Sequence, residues 1–191
     1  MHIAILSAST RLNRQSHRVA LALERWLHIH SSHHAEVIDL AGYRLPVLEE
    51  VLGRHPSPPE GLEDFAHRIR SAHAYLFVSP EYNGSYTAAL KNAVDYLKER
   101  DFARKVVGVA SVSTGALGGM RAALAMQQLV LAIGAFPIPQ MLLVGQVHQR
   151  FDAQGQLLDA AYEKNIQQFM ESFLWLAEAV TEKQVGAPIA Y

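Results

Sequence analysis

Three loop segments of the 191-residue chain carry groups that can bind a ligand, and the first comprises residues 7–16. This segment is rich in hydroxyl and amide side chains, carries the positive charge of Arg11 and contains no Asp or Glu. It precedes a helical pattern, whose first N–H groups lack partners and favour an anion such as a phosphate monoester. The candidate donors are Ser9, Thr10, Arg11, Gln15 and Ser16. A second interpretation is that these residues only cap the helix and solubilise the loop.

The second segment, residues 74–98, contains a strand, a turn and a helix start in direct succession. Its first five residues are an apolar run typical of a strand that is buried on both faces. Pro80 cannot donate to a strand ladder, Asn83-Gly84 is a turn pair, and Ser85 or Thr87 can cap the following helix. The turn also carries two aromatic side chains, those of Tyr82 and Tyr86. Because open α/β sheets bind ligands at the carboxyl ends of their strands, this turn is a candidate site for a flat heteroaromatic ring.

The third segment, residues 111–119, is rich in hydroxyl groups and glycine and follows another apolar run. It partly resembles G-x-G-x-x-G, but Ser113 stands where the first glycine should be, and the chain contains no G-x-x-x-x-G-K-[ST] motif of a P-loop triphosphatase. We interpret Gly115, Gly118 and Gly119 as positions where a missing side chain lets the backbone approach a flat ligand. A tight strand-to-helix turn that requires glycine is the alternative.

Elements of alternating type must position these three loops. Strand patterns occur at 2–6, 37–40, 74–78, 105–110 and within 137–144, and helical patterns at 17–27, 62–69, 90–97, 120–133 and 162–183. This alternation predicts an α/β three-layer sandwich, a five-stranded parallel sheet with helices on both faces. Right-handed crossovers and one switch point favour the strand order 2-1-3-4-5, in which the loops after strands one, three and four meet. We expect a single domain over residues 1–191.

Composition excludes several classes of function. The net charge of −1 and the absence of a basic run argue against nucleic acid or an acidic membrane surface as a partner. No cysteine is present, which excludes disulfides, thiolate metal sites and thiol catalysis, so redox chemistry would need a bound cofactor. The first residues lack a basic region, and no apolar run approaches the ~18 to 20 residues of a membrane helix. We therefore expect a soluble cytoplasmic protein.

Three motifs, in this order, resemble the NADPH-dependent FMN reductase family of flavodoxin-like proteins. They are Ser9-Thr10-Arg11 with Gln15-Ser16, then Pro80-Glu81-Tyr82-Asn83-Gly84-Ser85 with Leu90-Lys91-Asn92-Ala93, and Gly118-Gly119-Met120-Arg121-Ala122. The middle motif is the specific signal and the other two support it. The sequence departs from the family's pattern at two places: Thr87-Ala88 replaces the common Pro-Gly, and Ala8 replaces a common Gly. Since the substituted residues are small, we expect the pocket to be kept. The resemblance implies the flavodoxin-like fold and a homodimer or homotetramer.

The resemblance also implies an FMN site. Its residues would be Ser9, Arg11, Gln15 and Ser16 at the phosphate, Pro80, Glu81, Tyr82, Asn83 and Gly84 along the isoalloxazine, and Ser113, Thr114, Gly115, Gly118 and Gly119 at its far edge. Hydride would pass from NADPH or NADH to FMN and electrons onward to a flavin, quinone, azo or metal-oxyanion acceptor, with no side chain acting as catalytic acid or base. The alternatives are a flavin-binding electron carrier or redox sensor, against which the missing acidic shell argues, and a non-catalytic relative.

Other residues are open to two interpretations. A histidine cluster (His28, His30, His33 and His34) suits the end of a helix better than a metal site, because it contains no carboxylate. Leu129, Leu131 and Ile133 indicate a dimer interface or deep packing of a nearly all-apolar helix. Trp26 and Trp175 are expected in the core. The proline-rich stretch 45–59, with Tyr43 and Arg44 before it, either covers the acceptor side of the flavin or is a plain surface loop.

Overall fold

Parallel strands form the centre of the protein, of which the computed structural model describes residues 1–186. The strands are β1 (His2–Ser7), β2 (His34–Asp39), β3 (Ala74–Pro80), β4 (Val106–Val112), β5 (Phe136–Pro137) and β6 (Leu142–Val144). All pairings are parallel, in the order β2-β1-β3-β4-β5, with β6 also paired to β4. The predicted order 2-1-3-4-5 is confirmed.

Helices follow the strands along the chain. They are α1 (Ser16–His30), α2 (Leu40–Tyr43), α3 (Leu62–Ser71), α4 (Ala88–Asp95), α5 (Glu99–Phe102), α6 (Met120–Ala132), α7 (Val147–Arg150) and α8 (Glu163–Gly186), the last preceded by a 3₁₀ turn at Ala160–Tyr162. The second strand begins before residue 37, where it was predicted to begin. It ends at Asp39, one residue earlier than predicted, because Leu40 already starts α2. The predicted third helix ends at Asp95, so that Leu97 packs in the core from beyond it.

The fifth strand position is divided between two short strands. β5 pairs with β4 at Val106 and Val107, and β6 pairs with it from Ala110 onward. Pro139, which has no N–H to donate, lies between the two strands, and the side-chain amide of Gln127 donates to the carbonyl of Ile138 at 2.8 Å. The hydrogen bond from Gln127 of α6 thus replaces part of the strand pairing that is interrupted between β5 and β6.

Two buried clusters separate the layers of the sandwich. On one face of the sheet, Leu76 and Val78 pack with residues of α1 and α8, and on the other face Tyr75 and Phe77 pack with residues of α3, α4 and α6. β3 and β4 are buried along almost their whole length, as expected for central parallel strands. A Cβ on Gly108 of β4 would lie 2.9 Å from Cζ of Phe169, so α8 packs directly against strand backbone. Helices therefore cover both faces, as predicted.

The expectation that both tryptophans lie in the core is wrong for Trp175, which is 73% exposed. Phe169, Phe173 and Ala177 take the inward positions of α8 at a spacing of four residues, which turns a residue two positions beyond Phe173 toward solvent. Trp26 is partly buried at the edge of the core, with its ring 4.7 Å from that of His30.

Each histidine of the predicted cluster has its own contact. His28 Nε2 lies 3.2 Å from the carbonyl oxygen of Ala35, and His33 Nε2 lies 2.8 Å from a carboxylate oxygen of Glu178. His30 packs on Trp26, and His34 stacks on His2 at 4.9 Å. Within residues 1–186 no three His, Cys, Asp or Glu side chains are grouped so that they could hold a metal ion. Over the same residues, every helix is too short or too polar to span a membrane.

Hydrogen bonds connect the proline-rich stretch 45–59 to α4. Asn92 accepts from the backbone N–H of Leu48 at 2.8 Å and donates to the carbonyl of Pro46 at 2.6 Å. Leu52 is buried and its N–H donates to the carbonyl of Tyr96 at 2.8 Å. Asn92, which belongs to the specific motif of the sequence, therefore holds this loop in place.

Candidate functional site

A cavity of 470 Å³ lies where the carboxyl ends of β1, β3 and β4 meet. Residues of all three predicted loops line it, which is the convergence that the strand order requires. The predicted site residues in its lining are Ser9, Arg11, Gln15, Ser16, Pro80, Glu81, Tyr82, Ser113 and Thr114. The other predicted site residues lie outside this lining: Asn83, Gly84, Gly115, Gly118 and Gly119.

The first loop ends in a polar group without a partner. Ser16 is the first residue of α1 and only 1% exposed, and its hydroxyl makes no hydrogen bond to any residue from 1 to 186. Gln15 precedes the helix but does not cap it with its side chain, and its Oε1 is also unpartnered. The side chain of Gln15 therefore does not supply the cap that the alternative interpretation of the loop requires. A buried hydroxyl beside free helix N–H groups is the environment that an anion completes.

Contacts between the first and second loops hold Tyr82 in the cavity. The hydroxyl oxygens of Ser9 and Tyr82 are 3.0 Å apart, and Ser9 is fully buried. The guanidinium of Arg11 lies over the Tyr82 ring, with Cζ 5.3 Å from the ring centroid. Arg11 is otherwise exposed, so its charge faces the mouth of the cavity.

Arg14 is a site residue that the sequence interpretation passed over. Its guanidinium donates to the carbonyl of Ser9 at 2.8 Å and forms a bidentate ion pair with Asp39 at the end of β2. The pair fixes the curvature of the first loop, because it ties the loop backbone to the neighbouring strand. The available sequence signal was that Arg14 is the second arginine in a loop without Asp or Glu. Its carboxylate partner, Asp39, lies 25 residues further along the chain, so the sequence alone did not show the pair.

The second loop has the turn predicted for it. Tyr82 and Ser85 exchange two backbone hydrogen bonds of 2.9 and 3.1 Å, and Asn83 and Gly84 both have positive φ, of 51° and 85°. Thr87 rather than Ser85 caps α4, accepting from the N–H of Leu90 at 3.2 Å and donating to the carbonyl of Ala8 at 2.8 Å. The cap thereby joins the second loop to the first.

The glycines of the third loop differ in their burial and in the space around them. Gly118 and Gly119 are buried with φ of 62° and 77°, and a Cβ on Gly118 would lie 2.7 Å from the carbonyl carbon of Leu143. A Cβ on Gly119 would lie 3.2 Å from the Cβ of Glu81. These two positions leave no room for a side chain within the protein itself, and their approach to a flat ligand stays a prediction. Gly115 is exposed and has only Ser113 Oγ nearby, at 3.4 Å.

Charge at the site is mainly positive. Glu81 is the acidic residue in the cavity lining, and its carboxylate accepts from Nε of Arg121 at 3.0 Å. Near the first turn of α1, Nδ1 of His17 lies 2.9 Å from Ser7 Oγ. Burial, and then the positive charge of Arg14, lower the pKa of His17, although Asp39 and Glu24 act in the opposite direction. The imidazole is therefore neutral at pH 7.

The lowered pKa of His17 predicts a loss of stability in mild acid. Between the folded pKa and the unfolded value of 6.5, the unfolded chain binds more protons, so the free energy of unfolding rises with pH across this interval. The stability is fully present above that value and falls as the pH drops below it. Thermal melting between about pH 5 and 8, in buffers free of phosphate, should show this slope in the wild type and a weaker one in His17→Gln. Identical slopes would show that His17 does not carry the effect.

Comparison with known proteins identifies the family. A family model described as NADPH-dependent FMN reductase matches residues 1–149. The chain is 33% identical over 146 residues to an NAD(P)H-dependent FMN reductase of Pseudomonas aeruginosa, covering 74% of this chain and 77% of that one. It is 31% identical over 177 residues to a quinone reductase of Pseudomonas putida, covering 90% and 91%.

A solved structure has the same architecture. The flavoenzyme NAD(P)H:(acceptor) oxidoreductase of Paracoccus denitrificans superposes with a TM-score of 0.78 and 25% identity, covering 93% of this chain and 97% of that one. This likeness agrees with the sheet order and with helices on both faces of the sheet. Since the family model spans well over half of the sequence, the protein belongs to the NADPH-dependent FMN reductase family.

Proposed function

We propose that the protein is an FMN-dependent oxidoreductase that takes electrons from NADPH or NADH and passes them to a small acceptor such as a quinone, flavin, azo compound or metal oxyanion. The observation that carries this proposal is the buried, unpartnered hydroxyl of Ser16 at the uncapped start of α1, within a cavity that three loops line. The names of the relatives, FMN reductase and quinone reductase, support the same class of reaction.

The residues present fit FMN. Ser16, Arg11 and the first N–H groups of α1 would bind the phosphate, because they supply donors and positive charge and the first loop contains no carboxylate. Pro80, Tyr82 and Ser113 would line the isoalloxazine. The chemistry that bound FMN supplies is two-electron transfer between NAD(P)H and the second acceptor.

The protein's own contribution is positioning and charge. Ser9 orients the Tyr82 hydroxyl, and the Arg14–Asp39 pair holds the loop that would carry the phosphate. The pairing of Glu81 with Arg121 offsets the negative charge beside the ring site. An electron carrier would be expected to surround its flavin with unpaired carboxylates, so a lining whose acidic residue is paired with an arginine favours the reductase over the carrier or sensor.

The test is the visible spectrum of protein incubated with FMN, freed of excess FMN and recorded anaerobically. We expect a flavin spectrum that bleaches promptly on addition of NADPH. A bound flavin that is bleached by dithionite but not by NADPH or NADH would favour the carrier or sensor. Protein that retains no flavin would contradict the assignment of the three loops.

We also infer self-association into a homodimer or homotetramer, supported by apolar side chains on and near α6. Large exposed side chains there are Leu117, Met120, Leu124, Leu131 and Phe136, each 44% exposed or more. Of the two interpretations open for Leu129, deep packing is confirmed, because this side chain is only 6% exposed and packs in the core. Sedimentation velocity would decide, since a monomeric mass would contradict the proposal. The single domain and the cytoplasmic location remain predictions.

A further inference from the structure

A second and larger cavity, of 830 Å³, lies on the other side of the first loop. Its walls come from this loop, the start of α1, α2 with the two residues after it, and α4. It shares the residues from Arg11 to Gln15 with the 470 Å³ cavity, so the two are contiguous. We refer to this larger cavity as the arginine cleft.

The lining of the arginine cleft is strongly basic. It contains four guanidinium groups, those of Arg11, Arg14, Arg18 and Arg44, and no Asp or Glu. The whole chain has a net charge of −1, so the charge of this lining differs in sign from that of the chain as a whole. A concave site lined by one sign of charge concentrates its field and attracts ligands that carry several opposite charges.

The four arginines differ in what they already bind. Arg14 is paired with Asp39, and Arg18 donates to the carbonyl of Phe151 at 2.9 Å. Arg11 and Arg44 are exposed and have no ion-pair partner within residues 1–186. Arg44 lies just after α2 with φ of 47°, a left-handed conformation that is unfavourable for arginine. These two side chains are therefore free to bind an anion.

A ligand that extends from the 470 Å³ cavity into the arginine cleft would pass Arg11, because this residue lines both. A pyridine dinucleotide has its nicotinamide at one end, its pyrophosphate in the middle and its adenosine at the other end, and NADPH carries an additional 2′-phosphate on the adenosine ribose. With the nicotinamide at the flavin, the adenosine half would extend across the first loop. Leu40, Ala41 and Leu45 supply apolar wall for an adenine ring beside the guanidinium of Arg44.

We propose that the arginine cleft binds the phosphate-bearing adenosine half of NADPH and that Arg44 binds its 2′-phosphate, an inference that rests on the proposed function. Arg44 lines the cleft but not the 470 Å³ cavity. Its replacement therefore separates binding of the nucleotide from binding of FMN. Arg44 would then be a determinant of specificity for NADPH over NADH.

The test uses Arg44→Asn, because asparagine tolerates the left-handed backbone while the guanidinium and its charge are removed. Its matched control is Arg104→Asn, a change at another arginine with positive φ, 64°, next to the amino end of β4 and thus at the opposite edge of the sheet. Calorimetry measures binding of 2′,5′-ADP and of ADP to the flavin-free protein, and steady-state kinetics give KM for NADPH and NADH with FMN bound.

We expect Arg44→Asn to weaken binding of 2′,5′-ADP and to raise KM for NADPH by about tenfold each, the loss of one charged hydrogen-bonding contact. KM for NADH and the Kd of FMN should change less than about twofold, Arg44→Lys should retain most of the affinity, and Arg104→Asn should resemble the wild type. An equal rise in KM for NADPH and for NADH, or no rise in either, would overturn the proposal. Equal binding of ADP and 2′,5′-ADP would also overturn it, and would indicate a general polyphosphate site.

Failure of the proposed function would look different. Protein that binds no FMN, or that NADPH does not bleach, contradicts the function itself, whereas binding of 2′,5′-ADP is measured without flavin and is independent of turnover. The arginine cleft is therefore testable separately from the reaction.

Discussion

Replacement of Ser16 by aspartate is expected to weaken FMN binding by at least about 100-fold, because it removes a hydroxyl donor and sets a carboxylate against the phosphate. The fold should be kept. Ser16 is the first residue of α1, which has no acidic residue in its first turn, and a carboxylate at that position is favourable for the helix dipole. Because Ser16 is only 1% exposed, burial of the carboxylate offsets this gain, so the flavin-free variant should melt near the wild-type temperature or somewhat below it.

Fluorescence titration of flavin-free protein measures this effect, with riboflavin as the comparison ligand. Riboflavin lacks the phosphate, so its affinity should be nearly the same in the wild type and in Ser16→Asp. Ser16→Ala, which removes the donor without adding charge, should lose only about tenfold in FMN affinity. An unchanged affinity of Ser16→Asp for FMN would mean that the phosphate does not bind at the start of α1.

Replacement of Gly118 by alanine is expected to lower the free energy of unfolding by about 2 to 4 kcal/mol. The residue has φ of 62°, which costs an L-residue energy in itself. Its new Cβ would also lie 2.7 Å from the carbonyl carbon of Leu143 and 3.0 Å from the N of Gly145. Both neighbours are backbone atoms, so they cannot turn aside as a flexible side chain can. Urea unfolding of the flavin-free protein measures the loss.

Gly115→Ala is the matched control in the same loop. Gly115 does not have positive φ, and a Cβ there would meet only Ser113 Oγ, at 3.4 Å, so stability should change by less than about 1 kcal/mol. If the backbone at Gly115 approaches the flavin, this variant should instead lose FMN affinity. A wild-type unfolding curve for Gly118→Ala would contradict the packing role of that glycine.

Much of the fold was predictable from the sequence because its signals are local. The central runs at 74–78 and 105–110 are apolar and rich in branched or aromatic side chains, which is typical of strands buried on both faces. The alternation with helices and the handedness of crossovers then leave few topologies, and the predicted order is the observed one. The divided fifth strand was not predicted, because its ends depend on the pairing with β4 and on the bond from Gln127.

The donors and the turn of the candidate site were also local features. Asn83-Gly84 forms the expected turn, because this pair tolerates the left-handed backbone in almost any context. The glycines of the third loop were not distinguishable in sequence. Only the approach of Leu143, which lies on β6, makes Gly118 a packing position, while Gly115 stays exposed.

The sequence by itself determined the layers of the fold, the three loops that meet at one edge of the sheet, and the kinds of groups those loops contribute. The tertiary structure alone decided which groups are paired. Arg14 binds Asp39, whereas within residues 1–186 the Ser16 hydroxyl has no hydrogen-bond partner and Arg44 in the arginine cleft has no ion-pair partner. The physical reason is distance along the chain. Local patterns fix the conformation of a segment, but pairing, burial and free charge depend on contacts between segments whose packing no local pattern specifies.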